Sequence, residues 1–416
     1  MGRATIPLLH DNHNHPSLYA SLSGCPDISG LRGEDALRVL ESLPGDRFSV
    51  VRGWRTREQA FGPAELGSLP PLLLINFSLH GFAVSEAGLP YLEQAAPELS
   101  RRRGDLAWLE SHVPALFAAY CGLAGSDPAR LASVLGALVP RGIGSADDLT
   151  VPTSEALSIN GRPEFSDRVG NWAAPELYRS LDPGLRSLCA GIKLFLDGAL
   201  GARSAAIRGP WIGPGTSFLA YSDEALAEAV EETAALGAAL AVHAIGELAV
   251  EQLLRILESR RSRGPDLPLV RMEHAQMITP DQAFRARDLG IVLSMQPNFS
   301  SDSRDYADRL PREYLEANNP FRMLIDRAGF VPGRDLIFGS DGIPDGIAYA
   351  ATESLFPVVP GQRLTLEELV AGYGPARGIS GTVTLEIDEN ARRVSVAGVL
   401  VGDRNVVPSA IRPRAG

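Results

Sequence analysis

The chain has 416 residues, of which 45% are hydrophobic and 21% are charged, an ordinary globular composition with enough apolar residues for a large core. Its formal net charge of −11 argues against binding to a nucleic-acid phosphate backbone. The 39 basic residues include a single lysine, Lys193. Arginine stays protonated, so it cannot replace a lysine whose neutral amine reacts. We therefore expect chemistry at Lys193, with an ordinary surface lysine as the alternative.

Cysteine usage and hydropathy bear on location and partners. The three cysteines, Cys25, Cys121 and Cys189, form no CxxC pair and are expected to be reduced. The apolar stretch at the amino terminus is too short for a signal peptide, and no run approaches the ~18 apolar residues of a membrane span. These features predict a cytoplasmic protein with a small-molecule substrate and without nucleic-acid or membrane partners. A homodimer is left open.

Short apolar strand candidates alternate with helical stretches along the chain. Apolar residues at helical spacing run through Asp223–Leu236 and Leu248–Arg260, and Thr279 and Thr365 each begin a helix with a capping-box spacing. The nine strand candidates are Thr5–Asn12, Phe48–Trp54, Leu72–Phe77, Gly142–Asp147, Gly191–Asp197, Ala238–His243, Leu269–His274, Ile291–Gln296 and Leu336–Ser340.

This alternation predicts an α/β fold with a parallel sheet, and about eight units predict a (β/α)8 TIM-like barrel. Nine candidates compete for eight places, so one of Phe48–Trp54 and Leu72–Phe77 is expected to be an excursion from the barrel. Arg102–Leu135 is expected to be largely helical, and Ser154–Pro183 is expected to be rich in loops.

The pattern changes in the last part of the chain. Residues 383–387 and 394–401 are expected to form a β-hairpin outside the strand–helix rhythm. We therefore assign residues 1–380 to the barrel, with an elaborated region at about 55–185, and residues 381–416 to a small β appendage with a loose tail.

Side chains able to bind metal recur at the carboxyl ends of the strand candidates, where barrel enzymes place their catalytic groups. His13 and His15 are two residues apart on a strand and therefore share a face. Four of the seven histidines fall at such strand ends, and this concentration predicts a metal site. The candidate ligands are His13, His15, Lys193, His243, His274 and Asp341.

These residue types suit hydrolytic metal chemistry. Imidazoles and carboxylates bind divalent ions such as zinc. A neutral lysine amine can add carbon dioxide, and the resulting carbamate could bridge two ions ~3.5–4 Å apart. Metal coordination lowers the pKa of water to near ~7, and Asp341 could orient the hydroxide and carry its proton to the leaving group. A guanidinium cannot form this bridge, which would explain why position 193 kept its lysine.

The chain resembles the amidohydrolase superfamily of metal-dependent hydrolases, specifically the branch of N-substituted formamide deformylases within amidohydrolase family 3. The resemblance extends in order over nearly the whole predicted barrel. The matching stretches are DNHNH (11–15), VRGW (51–54), KLFLDGALGARSAA (193–206), VHAIGELAV (242–250), RMEHAQMITPDQ (271–282), LGIVLSMQPN (289–298) and FGSDGIP (338–344).

This resemblance implies a pair of divalent ions, expected to be zinc, and water that attacks an amide, formamide or cyclic amide carbonyl. Asp341 is then both a metal ligand and the catalytic proton shuttle. The implied ligand sets are His13, His15 and Asp341 for one ion, His243 and His274 for the other, and carboxylated Lys193 as the bridge.

Substrate contacts and the β appendage are less defined. The stretch LHGFAVSEAGL (79–89) resembles a family segment whose histidine, here His80, faces the substrate, although Ser85 replaces the usual asparagine. Arg203 and Trp54 are further candidates for substrate contact. Family members carry a longer β segment before the first metal strand, so we expect the appendage to lack its amino-terminal partner.

The same residues are compatible with several competing functions. Taken singly, His243 and His274 could be buried structural histidines, and Asp341 could cap a turn or helix. A Schiff-base lyase could use Lys193 as its nucleophile. A deaminase on the same fold could use Glu247, four residues after His243. A metal-bound scaffold without activity is the alternative outside enzymes.

Overall fold

The computed structural model describes residues 2–55, 58–77, 79–261 and 267–407, except for the side chain of Leu106. The chain divides into two compact units. The barrel unit comprises Met1–Pro16, Val134–Thr150 and Asn160–Gly416, and the inserted unit comprises Ser17–Ser133 and Val151–Ile159. Within the described ranges, every helix is too short or too polar to cross a bilayer.

The strands of the described residues are numbered in chain order. They are β1 (Gly2–Pro7), β2 (Leu9–Asn14), β3 (Ser49–Trp54), β4 (Leu72–Asn76), β5 (Phe82–Val84), β6 (Ile143–Asp148), β7 (Val169–Ala173), β8 (Cys189–Phe195), β9 (Ala239–Ala244), β10 (Val270–His274), β11 (Val292–Met295), β12 (Leu336–Phe338), β13 (Gly381–Asp388), β14 (Arg393–Val401) and β15 (Arg404–Val406).

The α-helices are numbered in the same way. They are α1 (Pro16–Ser23), α2 (Gly33–Glu41), α3 (Pro63–Ser68), α4 (Leu89–Ala95), α5 (Pro97–Arg102), α6 (Leu106–Ser111), α7 (Val113–Ala124), α8 (Pro128–Leu138), α9 (Ser154–Asn160), α10 (Pro175–Ser180), α11 (Pro183–Arg186), α12 (Asp223–Ala235), α13 (Glu247–Arg260), α14 (Pro280–Asp288), α15 (Asp302–Asp305), α16 (Arg312–Ala317), α17 (Ile347–Leu355) and α18 (Leu366–Tyr373).

The central sheet of the barrel unit contains eight parallel strands in the order β2-β6-β7-β8-β9-β10-β11-β12. The two end strands are joined by hydrogen bonds of both side chains and backbone. The Asn12 amide on β2 donates to the carbonyls of Phe338 (2.9 Å) and Tyr373 (3.0 Å), and the Asp341 backbone N–H donates to the His13 carbonyl at 2.7 Å. The predicted (β/α)8 TIM-like barrel is confirmed.

The structure corrects the assignment of one barrel strand. Both Phe48–Trp54 and Leu72–Phe77 were candidates, but β3 and β4 lie in the inserted unit, where they pair in parallel and β5 adds to β4. The missing barrel strand is β7, inside the stretch expected to be rich in loops. Its Gly170 and Asn171 have low strand propensity. A larger residue in place of Gly170 would displace the buried Asp147 carboxylate, because a Cβ would lie 2.3 Å from Asp147 Oδ1.

The first predicted strand, Thr5–Asn12, falls on two separate strands of the structure, β1 and β2. β1 pairs antiparallel with β13, and the predicted hairpin β13–β14 is extended by β15, so the appendage sheet has the order β1-β13-β14-β15. The expectation that the appendage lacks an amino-terminal partner is therefore wrong. Burial changes at this division, from a partly exposed β1 to a β2 in which every residue is buried. The predicted tail at 408–416 lies outside the described residues.

The predicted helices occur with small shifts at their ends. α12 and α13 replace the expected Asp223–Leu236 and Leu248–Arg260, and α5–α8 make the stretch 102–135 largely helical. Thr279 and Thr365 each cap a helix, with the reciprocal bonds of a capping box. Local helix-start signals are therefore reliable in this chain.

The Asn12→Ala variant is expected to lose about 1–3 kcal/mol of unfolding free energy, because buried carbonyls at the junction of β2 and β12 lose their donor. Urea unfolding of the metal-free protein measures this loss. Asn390→Ala, in the exposed turn of the β13–β14 hairpin, is the matched control and should stay within about 0.5 kcal/mol of the parent chain. Equal stabilities for the two variants would contradict the closing role of Asn12.

Candidate metal centre

The six candidate ligands are all carried by barrel strands or by the residues that follow them. They are His13 in β2, His15 just after it, Lys193 in β8, His243 in β9, His274 at the end of β10 and Asp341 after β12. The backbones of His274 (φ 71°) and Asp341 (φ 57°) are in the left-handed region. Such conformations cost about 1–3 kcal/mol and persist where the surrounding structure imposes them. The Asp341 N–H bond to the His13 carbonyl is one such constraint.

His13, His15 and Asp341 form a compact group. One ligand atom from each side chain lies within 4.8 Å of the other two. Asp341 Oδ1 is 3.1 Å from His15 Nε2 and 3.6 Å from His13 Nε2. The three side chains therefore present two imidazole nitrogens and a carboxylate oxygen to one point, a donor set that suits zinc and similar ions.

His243 and His274 continue this group along the strand ends. The ring of His274 is near the rings of both His13 and His243. Its centroid is 4.8 Å from that of His13 and 4.5 Å from that of His243. Nε2 of His243 is 3.1 Å from the Gly198 carbonyl, and Nδ1 of His274 is 2.7 Å from Gln296 Oε1. Each ring keeps its other nitrogen available, Nδ1 on His243 and Nε2 on His274.

Lys193 is fully buried, and its Nζ makes no hydrogen bond to any described residue. Burial lowers the pKa of its amine to about 8, although the nearby Glu273 and Asp341 carboxylates act in the opposite direction. A buried amine without a partner is costly unless something satisfies it. The neutral form of the amine, which is the form that adds carbon dioxide, is thus more accessible here than in an exposed lysine.

The electrostatics of the other groups also fit metal ligation. Burial lowers the pKa of His13, His243 and His274 well below the usual histidine value, so their rings are neutral at neutral pH. Burial alone would raise the pKa of Asp341, but the neighbouring His13 and His15 lower it to about 2. Metal ligands must be deprotonated. The rings of His13, His243 and His274 and the carboxylate of Asp341 are therefore in the required protonation states.

Asp11 and Ser340, which are close in the chain to the candidate ligands His13 and Asp341, are hydrogen-bonded to each other. The buried Asp11 carboxylate accepts hydrogen bonds from the Ser340 N–H (2.8 Å), the Ser340 hydroxyl and the Asn14 amide (2.9 Å). Burial raises the pKa of Asp11 to about 6. Because Ser340 directly precedes Asp341, this contact links the β2 end carrying His13 to the proposed proton shuttle.

Sequence reasoning missed four buried polar residues around the candidate ligands. Asp197 accepts backbone hydrogen bonds from Ala206, Ile245 and Gly246, and its Oδ1 is 3.4 Å from His243 Nε2. The other three are Arg271, Glu273 and Gln296. The available signal was charge inside β10, where Arg271 and Glu273 interrupt a strand expected to be buried.

His80, Trp54 and Ser85 belong to the inserted unit. His80 Nδ1 is 3.1 Å from Glu110 Oε2, and the Trp54 indole donates to the Gln59 carbonyl at 2.9 Å. The Ser85 hydroxyl is hydrogen-bonded to backbone groups. It accepts from the N–H groups of Leu72 and Gly88 and donates to the carbonyl of Pro70. It caps a short 3-10 turn, so Ser85 has a structural role at this position.

Arg203 and Glu247 belong to the barrel unit. Arg203 lies in the loop after β8 with φ 53°, and its Nη2 is 3.6 Å from Asp308 Oδ2. Glu247 Oε1 accepts from the Arg208 N–H and from the Tyr314 hydroxyl, both at 2.7 Å. One oxygen of the carboxylate that a deaminase would need is thus bonded to a loop and a tyrosine, whereas Oε2 makes no hydrogen bond to a described residue.

The chain is similar to a known protein family and to individual proteins of known sequence. A model described as the amidohydrolase family matches residues 141–373, more than half of the chain. YtcJ of Bacillus subtilis, whose name classes it with the amidohydrolases, is 32% identical over 139 residues, which are 33% of this chain and 26% of YtcJ. The Arabidopsis thaliana protein LONG AFTER FAR-RED 3 is 36% identical over 118 residues, 28% of this chain and 20% of that protein. The matched stretches thus span about a quarter of these relatives.

Solved structures share the fold. An uncharacterized metal-dependent hydrolase from Pyrococcus horikoshii has a TM-score of 0.67 at 22% identity, over 89% of this chain and 80% of the other. A second one, from Pyrococcus furiosus, has a TM-score of 0.64 at 22% identity, over 89% and 81% of the two chains. At this identity, the likeness concerns the fold.

Proposed function

The chain belongs to the amidohydrolase family, and from this premise we propose that it is a metal-dependent hydrolase that cleaves the carbon–nitrogen bond of an amide, formamide or cyclic amide. The observation that carries the proposal is the convergence of His13, His15 and Asp341 on one point, beside the buried amine of Lys193, which makes no hydrogen bond to a described residue. The first three would hold one divalent ion, expected to be zinc. His243 and His274 would hold a second, with carboxylated Lys193 as the shared ligand.

A divalent ion in such a site acidifies water, so that hydroxide is available near neutral pH. In this proposal, Asp341 is the residue that transfers the proton. Its carboxylate is ionised at neutral pH and lies beside His13 and His15, so it can accept a proton from water and return it to the leaving nitrogen. His80, Arg203 and Trp54 are proposed substrate contacts, and Arg203 would suit an anionic group.

Elemental analysis with an activity panel tests the proposal. We expect about two equivalents of a divalent metal per chain, as in two-metal hydrolytic sites. Hydrolysis of N-formyl amides or cyclic amides should stop when a chelator removes the metal and return when it is restored. A chain that binds no divalent metal would contradict the proposal.

The same panel separates the alternatives. Covalent trapping of Lys193 by borohydride with a carbonyl substrate, in protein without metal, would indicate the Schiff-base lyase. Ammonia release from aminopurines would indicate the deaminase, against the engagement of Glu247 described above. Bound metal without turnover of amides, esters and aminopurines would indicate the inactive scaffold.

A further inference from the structure

Two of the candidate metal-binding histidines have the same local geometry but chemically different partners. His13 Nδ1 is 2.7 Å from Glu273 Oε2, and His274 Nδ1 is 2.7 Å from Gln296 Oε1. Both partner side chains are fully buried. One imidazole therefore faces a carboxylate and the other a neutral amide, at equal distances and in equally dry surroundings.

The hydrogen bonds around each partner define the protonation of the two rings. Gln296 Nε2 donates to the Ser294 carbonyl at 3.3 Å, so the amide oxygen is the atom that faces His274. A carboxylate or amide oxygen only accepts, so Nδ1 carries the proton in both rings and Nε2 is bare. Both histidines are thus held in the tautomer that ligates through Nε2.

The Glu273 carboxylate is held in place by Arg271. The Arg271 Nε donates to Glu273 Oε1 at 2.9 Å, and the same guanidinium donates to Asp147 Oδ2 (2.7 Å), the Asn12 carbonyl (2.6 Å) and Ser294 Oγ (3.1 Å). These contacts reach strands β2, β6 and β11 from β10. Arg271 compensates the buried negative charge of Glu273 and prevents the carboxylate from turning away from His13.

A carboxylate partner makes a metal-bound imidazole a stronger donor than a neutral amide does. It stabilises the positive charge that the ring acquires when Nε2 gives its electrons to an ion. Partners of this kind are worth roughly 10–100-fold in metal affinity. The difference between Glu273 and Gln296 should therefore appear as a difference between the two metal positions.

We propose that Glu273 and Gln296 are positioning residues that make the two metal positions unequal. The ion at His13, His15 and Asp341 binds more tightly than the ion at His243 and His274, and the two ions load in that order. This inference rests on the proposed two-metal hydrolase. It adds an order of loading and assigns that order to one buried carboxylate.

Titration of the metal-free protein with Zn²⁺ against a chromophoric chelator tests the proposal without any substrate. The parent chain should bind two ions in two separable steps. In Glu273→Gln, both histidines face an amide, and the first step should weaken by about 10–100-fold and by clearly more than the second step. In Gln296→Glu, both face a carboxylate, and the second step should strengthen while the first stays unchanged.

Co²⁺ loading and thermal unfolding serve as controls for a purely structural effect. One equivalent of Co²⁺ should give one visible spectrum, assigned to the first position, and Glu273→Gln should alter that spectrum rather than only lower the melting temperature of the metal-free protein. Equal affinities of the two steps in the parent chain, or an unchanged first step in Glu273→Gln, would overturn the inference. Ordered loading in a chain that hydrolyses nothing would instead overturn the proposed activity and leave the loading order intact.

Discussion

Replacement of Lys193 by alanine is expected to lower kcat/KM by more than about 100-fold and to reduce the bound metal. Even partners that only contact a ligand are worth roughly 10–100-fold, and a bridging carbamate would contact both ions directly. The amine is buried, forms no hydrogen bond to a described residue and has its pKa lowered to about 8, so the neutral form that reacts with carbon dioxide is more populated than in an ordinary lysine. Steady-state kinetics and elemental analysis of the purified variant measure the two losses.

Two further variants separate the carbamate from the amine. Propionate should restore part of the metal and activity in Lys193→Ala, because its carboxylate can occupy the space left by the side chain. It should not do so in Lys193→Met, where that space is filled. Since Lys193 is the only lysine, a carbamate signal after ¹³CO₂ loading can arise only from it or from the α-amino group. Full activity of Lys193→Ala would contradict the bridging role.

Replacement of Asp341 by asparagine is expected to lower kcat by about 10²–10⁴-fold, the range that general acid–base catalysis contributes. The amide cannot take up the proton that the carboxylate accepts. It still offers an oxygen beside His13 and His15, so we expect most of the metal to be retained and KM to change little. Steady-state kinetics measure kcat and KM, and elemental analysis of the same sample measures the retained metal.

The matched control is Asp335→Asn, which changes the same residue type immediately before strand β12, whereas Asp341 follows that strand. Asp335 pairs with Arg334 and Arg287, away from the candidate ligands, so its kcat should match the parent chain. A drop in kcat for Asp341→Asn that is explained fully by lost metal would count against the proton role and leave only ligation.

The strand count was the weakest part of the sequence prediction. Apolar composition identified β3 and β4 as strands, but it could not tell that they pair with each other in the inserted unit. β7 was missed for the opposite reason, because Gly170 and Asn171 are poor strand formers. Parallel pairing with β6 and β8 overrides that local preference. Local signals such as the capping boxes at Thr279 and Thr365 were sufficient for helix starts.

The candidate ligands were accessible from sequence because strand-end position and residue type are both local properties. The barrel then brings together residues that are up to 328 positions apart, as between His13 and Asp341. Their protonation states were not accessible. Burial lowers the pKa of His13 and Lys193, neighbouring carboxylates partly oppose this lowering, and both effects depend on which strands are adjacent.

By itself, the sequence determined the class of fold, the types of candidate ligand and the fact that Lys193 is the only lysine. Periodicity and residue chemistry are local properties of the chain, so they can be read without the tertiary structure. Tertiary structure alone decided that Gly2–Pro7 joins the appendage sheet, that Asn12 helps to join β2 to β12, and that Glu273 and Gln296 contact different histidines. The physical reason is that these features are contacts between distant strands. Their energies come from hydrogen bonds and burial that exist only after the eight strands have aligned.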